Sequence, residues 1–263
     1  MIDIHCHLLP GIDDGAKSFE ESLLLLKKAE AAGVTDIILT PHYIVGSKYN
    51  ADNVRKWKLF LELKERAAKA GIAVRIYLGN EIYIDGGLPE MLSGYGKNCV
   101  AFGKNDNDDS KNQVGCGKTF ELSTLNSGKY VLVEFPVGTE DKSAKMTLFS
   151  LVSAGFIPVI AHPERYIYVQ ENLKYFDDFL SMGCVLQGNY LSLMGKYGKR
   201  AEKTLKKLLG AGKIFCLASD IHKPTDEYRL DEAYTKLVKI TKDSVKVREL
   251  LIDNPYKILA SVV

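Results

Sequence analysis

The first fifteen residues carry His5-Cys6-His7 and, past a Pro10-Gly11 turn, Asp13-Asp14-Gly15. Ile2 and Ile4 read as a very short buried strand ending in the two histidines. In extended backbone, residues i and i+2 share a face, so both imidazoles can reach one cation while Cys6 alternates away. Asp14 offers a carboxylate close by. The spacing alone is a weak signal, because two histidines hydrogen-bonded to backbone would look the same. What separates the readings is whether the rest of the chain sends matching ligands to the same place.

The chain has five histidines, His5, His7, His42, His162 and His222, and each follows an apolar run that reads as a strand. Asp14, Glu81, Glu134 and Asp220 stand at equivalent strand ends. Nine such nitrogen and oxygen donors suit two or three divalent ions. Imidazole mixed with carboxylate, without thiolate, favours Mn, Fe or Zn over a structural zinc site. Three divalent ions would exceed the four carboxylates by about two positive charges, which a phosphate dianion offsets. Arg165, three residues past His162, can offer phosphate oxygens a planar fork. Arg165, Asp14 and His42 are therefore the candidates for catalytic roles. A cysteine-based phosphatase is excluded: no cysteine has arginine six residues on, where Ile12, Asn105, Leu122, Tyr190 and His222 stand. There is no Gly-x-Ser-x-Gly elbow either.

These groups need strands ending at one rim. Runs at Val34–Thr40, Ile72–Leu78, Tyr130–Phe135, Ile157–Ala161, Cys184–Gln187 and Ile214–Ala218 are apolar almost throughout. Between them lie helical patterns. Ser18 and Glu21 form a capping box, with Leu23, Leu26, Ala29 and Ala32 as the apolar face. Residues 51–70 follow, with Val54, Trp57, Leu61, Leu63, Ala67 and Ala68 inward, then a short helix or turn at 86–95. Later helical patterns span 141–154, 170–182, 196–211, 230–252 and 255–261. Strands apolar on both faces, alternating with helices, argue for a parallel sheet covered by helices. Seven such units predict an α/β fold, a distorted seven-stranded β/α barrel of the TIM kind, with residues 1–263 as a single domain. An open doubly wound sheet is the alternative. Residues 94–128, glycine-rich and including the polar run Lys104–Asn112, read as an exposed insertion.

Bulk properties narrow the partners. Net charge is +2 on 35 cationic and 33 acidic residues, so no global field attracts nucleic acid. No apolar run is long enough to cross a bilayer. The opening residues read as strand and loop rather than a leader. Five cysteines at irregular spacing read as reduced thiols, which predicts a cytoplasmic protein. Lys196, Lys199, Arg200, Lys203, Lys206 and Lys207 form a basic helix face. It is either a solvated surface or a dock for an acidic tail or anionic lipid.

Together, His5-x-His7, Asp13-Asp14-Gly15, His42, Glu81, Val-Glu134-Phe-Pro, His162-Pro-Glu-Arg165 and Asp220-x-His222 resemble the PHP (polymerase and histidinol phosphatase) superfamily. Asp-Asp-Gly, Glu-Phe-Pro and His-Pro-Glu-Arg are similar to its CpsB/CapC type, the bacterial tyrosine-protein phosphatases of capsule and exopolysaccharide clusters. The resemblance runs over nearly the whole chain. It implies the PHP fold with three metals, commonly manganese, and action on the phosphotyrosine tail of a membrane-associated bacterial tyrosine kinase. It implies one metal at His5, His7, Glu81 and Asp220, and a second at Glu81, Glu134 and His162. The third would lie at Asp14, His42 and His222. Arg165 would grip phosphate, and Arg229 stands nearest to a second expected arginine. Other readings stay open: another PHP phosphoesterase acting on histidinol phosphate or nucleotides, or an amidohydrolase-type metal hydrolase.

Overall fold

A computed structural model describes residues 1–49, 52–84 and 124–262. The 86–95 element, most of the 94–128 insertion, Cys99 and Cys116 lie outside the described residues. Nine strands are present among the described residues: β1 (Ile2–Cys6), β2 (Asp36–Leu39), β3 (His42–Tyr43), β4 (Arg75–Leu78), β5 (Glu81–Tyr83), β6 (Tyr130–Glu134), β7 (Ile157–Ala161), β8 (Val185–Asn189) and β9 (Ile214–Ala218). All their pairings are parallel, in the orders β1-β2-β4 and β3-β5-β6-β7-β8-β9.

These nine make seven staves. The β2–β4 pairing runs to Leu39 opposite Leu78, and β3–β5 resumes with His42 opposite Glu81 in the same register. Each is one strand interrupted, by Thr40-Pro41 and by Gly79-Asn80. Proline cannot donate to a ladder, and such breaks re-aim the side chains that follow. The barrel closes where Cys6 bridges Ile221, His7 N–H donates to the Ile221 carbonyl and Asp220 N–H to that of His5. The expected seven-stave barrel is therefore formed, with nine strand segments where seven were predicted.

Alternation sorts the side chains. Ile2, Ile4, Leu132, Val159, Ala161, Cys216 and Ala218 pack together with Leu125, Ile258 and Leu259. Val131, Val133, Ile160, Leu186 and Leu217 belong to the larger cluster that includes buried helix residues. Two residues beyond Leu132 and Ala218, in the same phase, stand Glu134 and Asp220. On β1 the register shifts between Asp3 and Cys6. That bulge takes Cys6 out of phase with Ile2 and Ile4 and into the larger cluster.

The helices differ in detail from the sequence reading. Helix α1 (Phe19–Ala31) is capped by Ser18, which accepts from Glu21 N–H. It buries Ser22, Leu25, Leu26 and Ala29, and Leu23 lies at its edge. Helix α2 (Asn53–Lys69) buries Lys56, Phe60, Leu63 and Ala67. Val54, Trp57 and Leu61 are exposed instead. The buried stripe accepts Lys56 because its Nζ reaches Asn80 Oδ1 at 2.9 Å while the stem packs. Then come α3 (Ala144–Ser153), α4 (Ile167–Glu171), α5 (Asp177–Ser181), α6 (Gly198–Gly210), α7 (Leu230–Thr241), α8 (Ser244–Arg248) and α9 (Asn254–Leu259). The single helix expected over 170–182 is replaced by α4 and α5, parted at an Asn172 turn whose Oδ1 accepts Lys174 N–H. The long closing helix is likewise broken. Lys242 takes φ +55° and Asp243 caps α8 by accepting from Val245 and Lys246.

The loop from His7 to Ala16 is held by Ala16 N–H on the His7 carbonyl at 2.9 Å. A Cβ at Gly15 would stand 2.0 Å from that oxygen. Backbone must move to admit it, so Gly15→Ala is expected to cost about 2 kcal/mol and to weaken metal retention. Thermal melting with metal analysis checks this; an unchanged Tm and unchanged metal content would contradict the packing.

Candidate metal centre

The strand ends converge on Glu81, which is 1% exposed. Its Oε2 lies 3.2 Å from His5 Nε2, 3.2 Å from His7 Nε2 and 3.1 Å from His42 Nδ1. Its Oε1 lies 3.1 Å from His162 Nε2. Asp220 Oδ1 stands 3.5 Å from both His5 and His7 Nε2. Glu134 reaches His162 Nε2 at 3.5 Å and His42 Nδ1 at 3.8 Å. Toward solvent, Asp14 faces His42 Nε2 at 3.5 Å and His222 Nε2 at 3.6 Å. All nine ligands expected from the sequence thus occupy one contiguous cluster.

Three subsets place a donor atom from every member within 4.8 Å of the others: His5-His7-Glu81, His42-Glu81-Glu134 and His7-Asp14-His42-His222. They overlap, so His42 stands between two groups rather than in one, and His7 also faces the outer group. The His7 and His222 rings stack at 3.9 Å.

Outer partners fix the rings. His5 Nδ1 meets Gln187 Oε1 and His7 Nδ1 meets Asp13 Oδ2, each at 2.8 Å. An Nδ1–H donated to each oxygen leaves both Nε2 lone pairs pointing inward, only 3.2 Å apart. Asp13 also accepts the N–H groups of Gly15 and His42. These bonds and the His7 imidazole overcome burial and hold its carboxyl down at about 2.

The electrostatics show a cluster short of positive charge. Burial would depress His5, but the Glu81 and Asp220 carboxylates outweigh it and push the imidazole up to about 9. Burial also opposes charge on His7, yet Asp13 drives it well upward. Burial, then Arg165, drops His162 to about 4, and burial, then His7, drops His222 to about 4. Burial, then Glu81, raises Glu134 well above the carboxylate range. Glu81 Oε2, His42 Nδ1 and His162 Nδ1 are buried without a hydrogen-bond partner. Two inward lone pairs beside an unsatisfied carboxylate oxygen are unfavourable unless a cation lies among them. The residues therefore fit divalent metal, with imidazole and carboxylate donors and no thiolate. Cys6 Sγ instead faces the Ile38 carbonyl at 3.7 Å.

The cluster floors a cavity of about 450 Å³ lined also by Arg165, Lys196, Tyr197, Lys223, Tyr49 and Tyr83. Arg165 Nη1 donates to Asp220 Oδ2 at 2.9 Å, and its guanidinium lies 4.5 Å from the centre of the Tyr197 ring. The same Oδ2 accepts from Tyr197 hydroxyl at 3.0 Å and Asn189 amide at 3.1 Å. Arg229 does not join them. It is absent from the cavity lining and forks onto Glu232, three residues on. It stands at the left-handed entry of α7, and the first-turn carboxylate captures it.

Sequence reading missed Asp13 as a partner of His7, and it missed Gln187, Asn189 and Tyr197. Gln187 and Asn189 did leave a signal: they are the two polar residues in phase with Val185 on an otherwise apolar stave. Tyr197 left none, since its role depends on the turn that brings α6 back over the rim.

Comparison with known proteins matches this architecture. The profile of the family described as "Capsular polysaccharide synthesis, CpsB/CapC" matches residues 1–103 and 109–260. Tyrosine-protein phosphatase YwqE of Bacillus subtilis is 32% identical over 240 residues, 91% of this chain and 84% of that protein. Tyrosine-protein phosphatase CpsB of Streptococcus pneumoniae is 29% identical over 265 residues, 98% of each. Among solved structures, one from work on YwqE and CpsB, described as unique metal-dependent tyrosine phosphatases, superposes with a TM-score of 0.82 at 28% identity. It covers all of this chain and 96% of that one. With its barrel, its convergent ligands and a profile match over nearly its whole length, this chain belongs to the CpsB/CapC family of capsular polysaccharide synthesis.

Proposed function

We propose that this chain is a metal-dependent protein-tyrosine phosphatase that hydrolyses phosphotyrosine on a partner protein, with His5, His7, Asp14, His42, Glu81, Glu134, His162, Asp220 and His222 as metal ligands. The observation that carries the reading is Glu81 Oε2, buried, unsatisfied and within 3.2 Å of three imidazole nitrogens at the floor of an Arg165-lined cavity. The family's named activity supports the substrate class. The reading takes residues 1–263 as one barrel domain. It takes two to three ions, manganese by preference, and the tail of a membrane-associated tyrosine kinase of capsule or exopolysaccharide synthesis as the physiological substrate, met in the cytoplasm.

Bound divalent ions supply positive charge for phosphoryl oxygens and make water acidic enough to attack near neutral pH. The protein's own groups do the rest. Arg165, anchored by one nitrogen to Asp220 and backed by Tyr197, keeps further N–H donors for the equatorial phosphoryl oxygens. Asp14, 51% exposed on its side chain, and His42 stand on the solvent side of the cluster, where a proton can be passed. Tyrosinate is a tolerable leaving group, with a parent pKa of ~10, so little acid assistance is required. Gln187 and Asp13 hold His5 and His7 in the tautomers that present Nε2.

Chelation is expected to reduce phosphotyrosine-peptide hydrolysis roughly a hundredfold or more, with recovery on adding Mn²⁺. Activity indifferent to chelator would reject the metal reading. A panel including histidinol phosphate and nucleotides separates the substrate classes, and preference for either would overturn the phosphotyrosine assignment. Arg165→Lys keeps charge but loses the fork, so kcat/KM should fall about tenfold or more while metal content holds. Metal binding should also release protons. His5, at about 9 in the metal-free protein, is protonated at pH 7 and must lose that proton to ligate. Calorimetry of Mn²⁺ binding in two buffers of different ionisation enthalpy should show about one proton or more released, and affinity falling as pH falls. A buffer-independent heat would contradict the ligand assignment.

A further inference from the structure

We propose that the exposed face of α6, carrying Lys199, Arg200, Lys203 and Lys207 and meeting the cavity at Lys196, docks an acidic peptide segment flanking the phosphotyrosine. The proposal rests on the phosphatase reading and adds the chemistry of the substrate around the scissile group.

Between Lys196 and Lys207 the chain places six cations and one carboxylate, Glu202, although its overall net charge is only +2. The rest of the molecule is therefore net negative, and the positive charge is local. At helical spacing the five of these cations within the helix fall on one side of α6, while Ala201, Thr204, Leu205, Leu208 and Leu209 are buried on the other. Glu202 neutralises Lys206 at 2.6 Å. Lys199, Arg200, Lys203 and Lys207 are exposed and make no ion pair among the described residues.

Helix stability does not account for this arrangement. The first turn of α6 has no acidic residue and its N-cap, Tyr197, makes no side-chain cap bond. Lys199 and Arg200 thus stand at the positive end of the helix dipole, where cations are unfavourable. A local rule broken without structural gain points to a binding role.

The stripe is also continuous with the site. Lys196 lines the cavity, held by Asp226 at 3.2 Å and the Asp220 carbonyl at 3.4 Å. Lys196 precedes the helix by two residues, and from Lys199 to Lys207 the helix rises roughly 12 Å, the span of about four extended residues. A peptide with its phosphotyrosine over the cluster can lay its neighbouring residues along this face. Acidic residues there would meet four unpaired cations in register with the helix turns.

The test compares two phosphotyrosine peptides on the Mn²⁺-loaded full chain, one with Asp and Glu in the five residues on either side, the other with Asn and Gln. The acidic peptide should show about five- to tenfold higher kcat/KM, through KM, and the advantage should shrink at high salt. Lys199→Glu with Lys203→Glu should abolish it, Lys199→Arg with Lys203→Arg should keep it, and p-nitrophenyl phosphate turnover should stay constant in both. Equal rates on the two peptides, or an equal loss on p-nitrophenyl phosphate, would overturn the docking. So would charge reversal that abolishes sedimentation with phosphatidylserine vesicles but spares peptide discrimination, which would assign the face to a membrane. Anisotropy of the same peptides carrying a non-hydrolysable phosphonate decides docking without turnover. Failure to hydrolyse either phosphotyrosine peptide would strike the phosphatase reading alone.

Discussion

The rest of the structure is arranged around one electrostatic difficulty. A buried carboxylate, Glu81, shares its two oxygens among four imidazoles, and two of those, His5 and His7, turn their Nε2 atoms toward one another at 3.2 Å, where neutral rings would present opposed lone pairs. In a medium of low polarity such a group of acceptors repels itself. Protons relieve it partly, as the upward shifts of His5 and His7 indicate. Divalent cations relieve it better, because each can satisfy several donors at once without leaving any lone pair unpaired. Folding this barrel therefore builds a cluster that a bound cation would stabilise, and the surrounding bonds keep it from relaxing by other means. Gln187 and Asp13 prevent ring flips, and Asn189, Tyr197 and Arg165 occupy the outer oxygen of Asp220.

The barrel's irregularities serve that centre. A regular strand β1 would keep Ile2, Ile4 and Cys6 in one phase; its register shift sends Cys6 to the other cluster. The breaks at Thr40-Pro41 and Gly79-Asn80 separate staves whose lower halves pack hydrocarbon from upper halves that deliver His42 and Glu81. His162 and Asp220 both adopt left-handed backbone, at φ +32° and +53°. Such conformations are uncommon for residues other than glycine and cluster where function requires them. These left-handed residues thus lie at the cluster-bearing strand ends, while a further register shift sits lower, between Leu186 and Gln187 of β8 as they pair with β9, and Ile258 and Leu259 pack at the hydrocarbon end of the barrel.

This division explains what the sequence made legible. Strand runs such as Tyr130–Glu134 and Ile157–Ala161 were readable because burial on both faces leaves continuous apolar stretches. The convergence of the nine histidines and carboxylates was readable because such residues directly after an apolar run have few structural uses. Helix faces were less so. On α2 the buried stripe includes the expected Leu63 and Ala67 but also Lys56 and Phe60, and Val54, Trp57 and Leu61 lie outside it, so hydrophobicity alone located only part of the face. Arg229 failed for a related reason: nearness in sequence to Asp220 and His222 said nothing of the Glu232 carboxylate that holds it on the surface. Positions whose role depends on a turn's direction, Tyr197 above all, have no one-dimensional signature.

Charge is graded outward from the histidine and carboxylate cluster. At the centre, carboxylates and imidazoles alone would reject an anion, and only with cations bound does the floor become attractive to phosphate. Just above, Arg165 is held in place by Asp220 on one side and the Tyr197 ring on the other, so its position does not have to be fixed when substrate arrives. Farther out, Lys196 and Lys223 line the walls of the cavity. An anion approaching a chain of nearly zero net charge feels no long-range pull, since distant surface charges cancel within a Debye length. It responds to this local sequence of cations instead. Selection by such a surface favours ligands whose negative charge is concentrated and correctly placed over those that are merely acidic, and a phosphoryl group on a rigid aromatic stem meets that requirement.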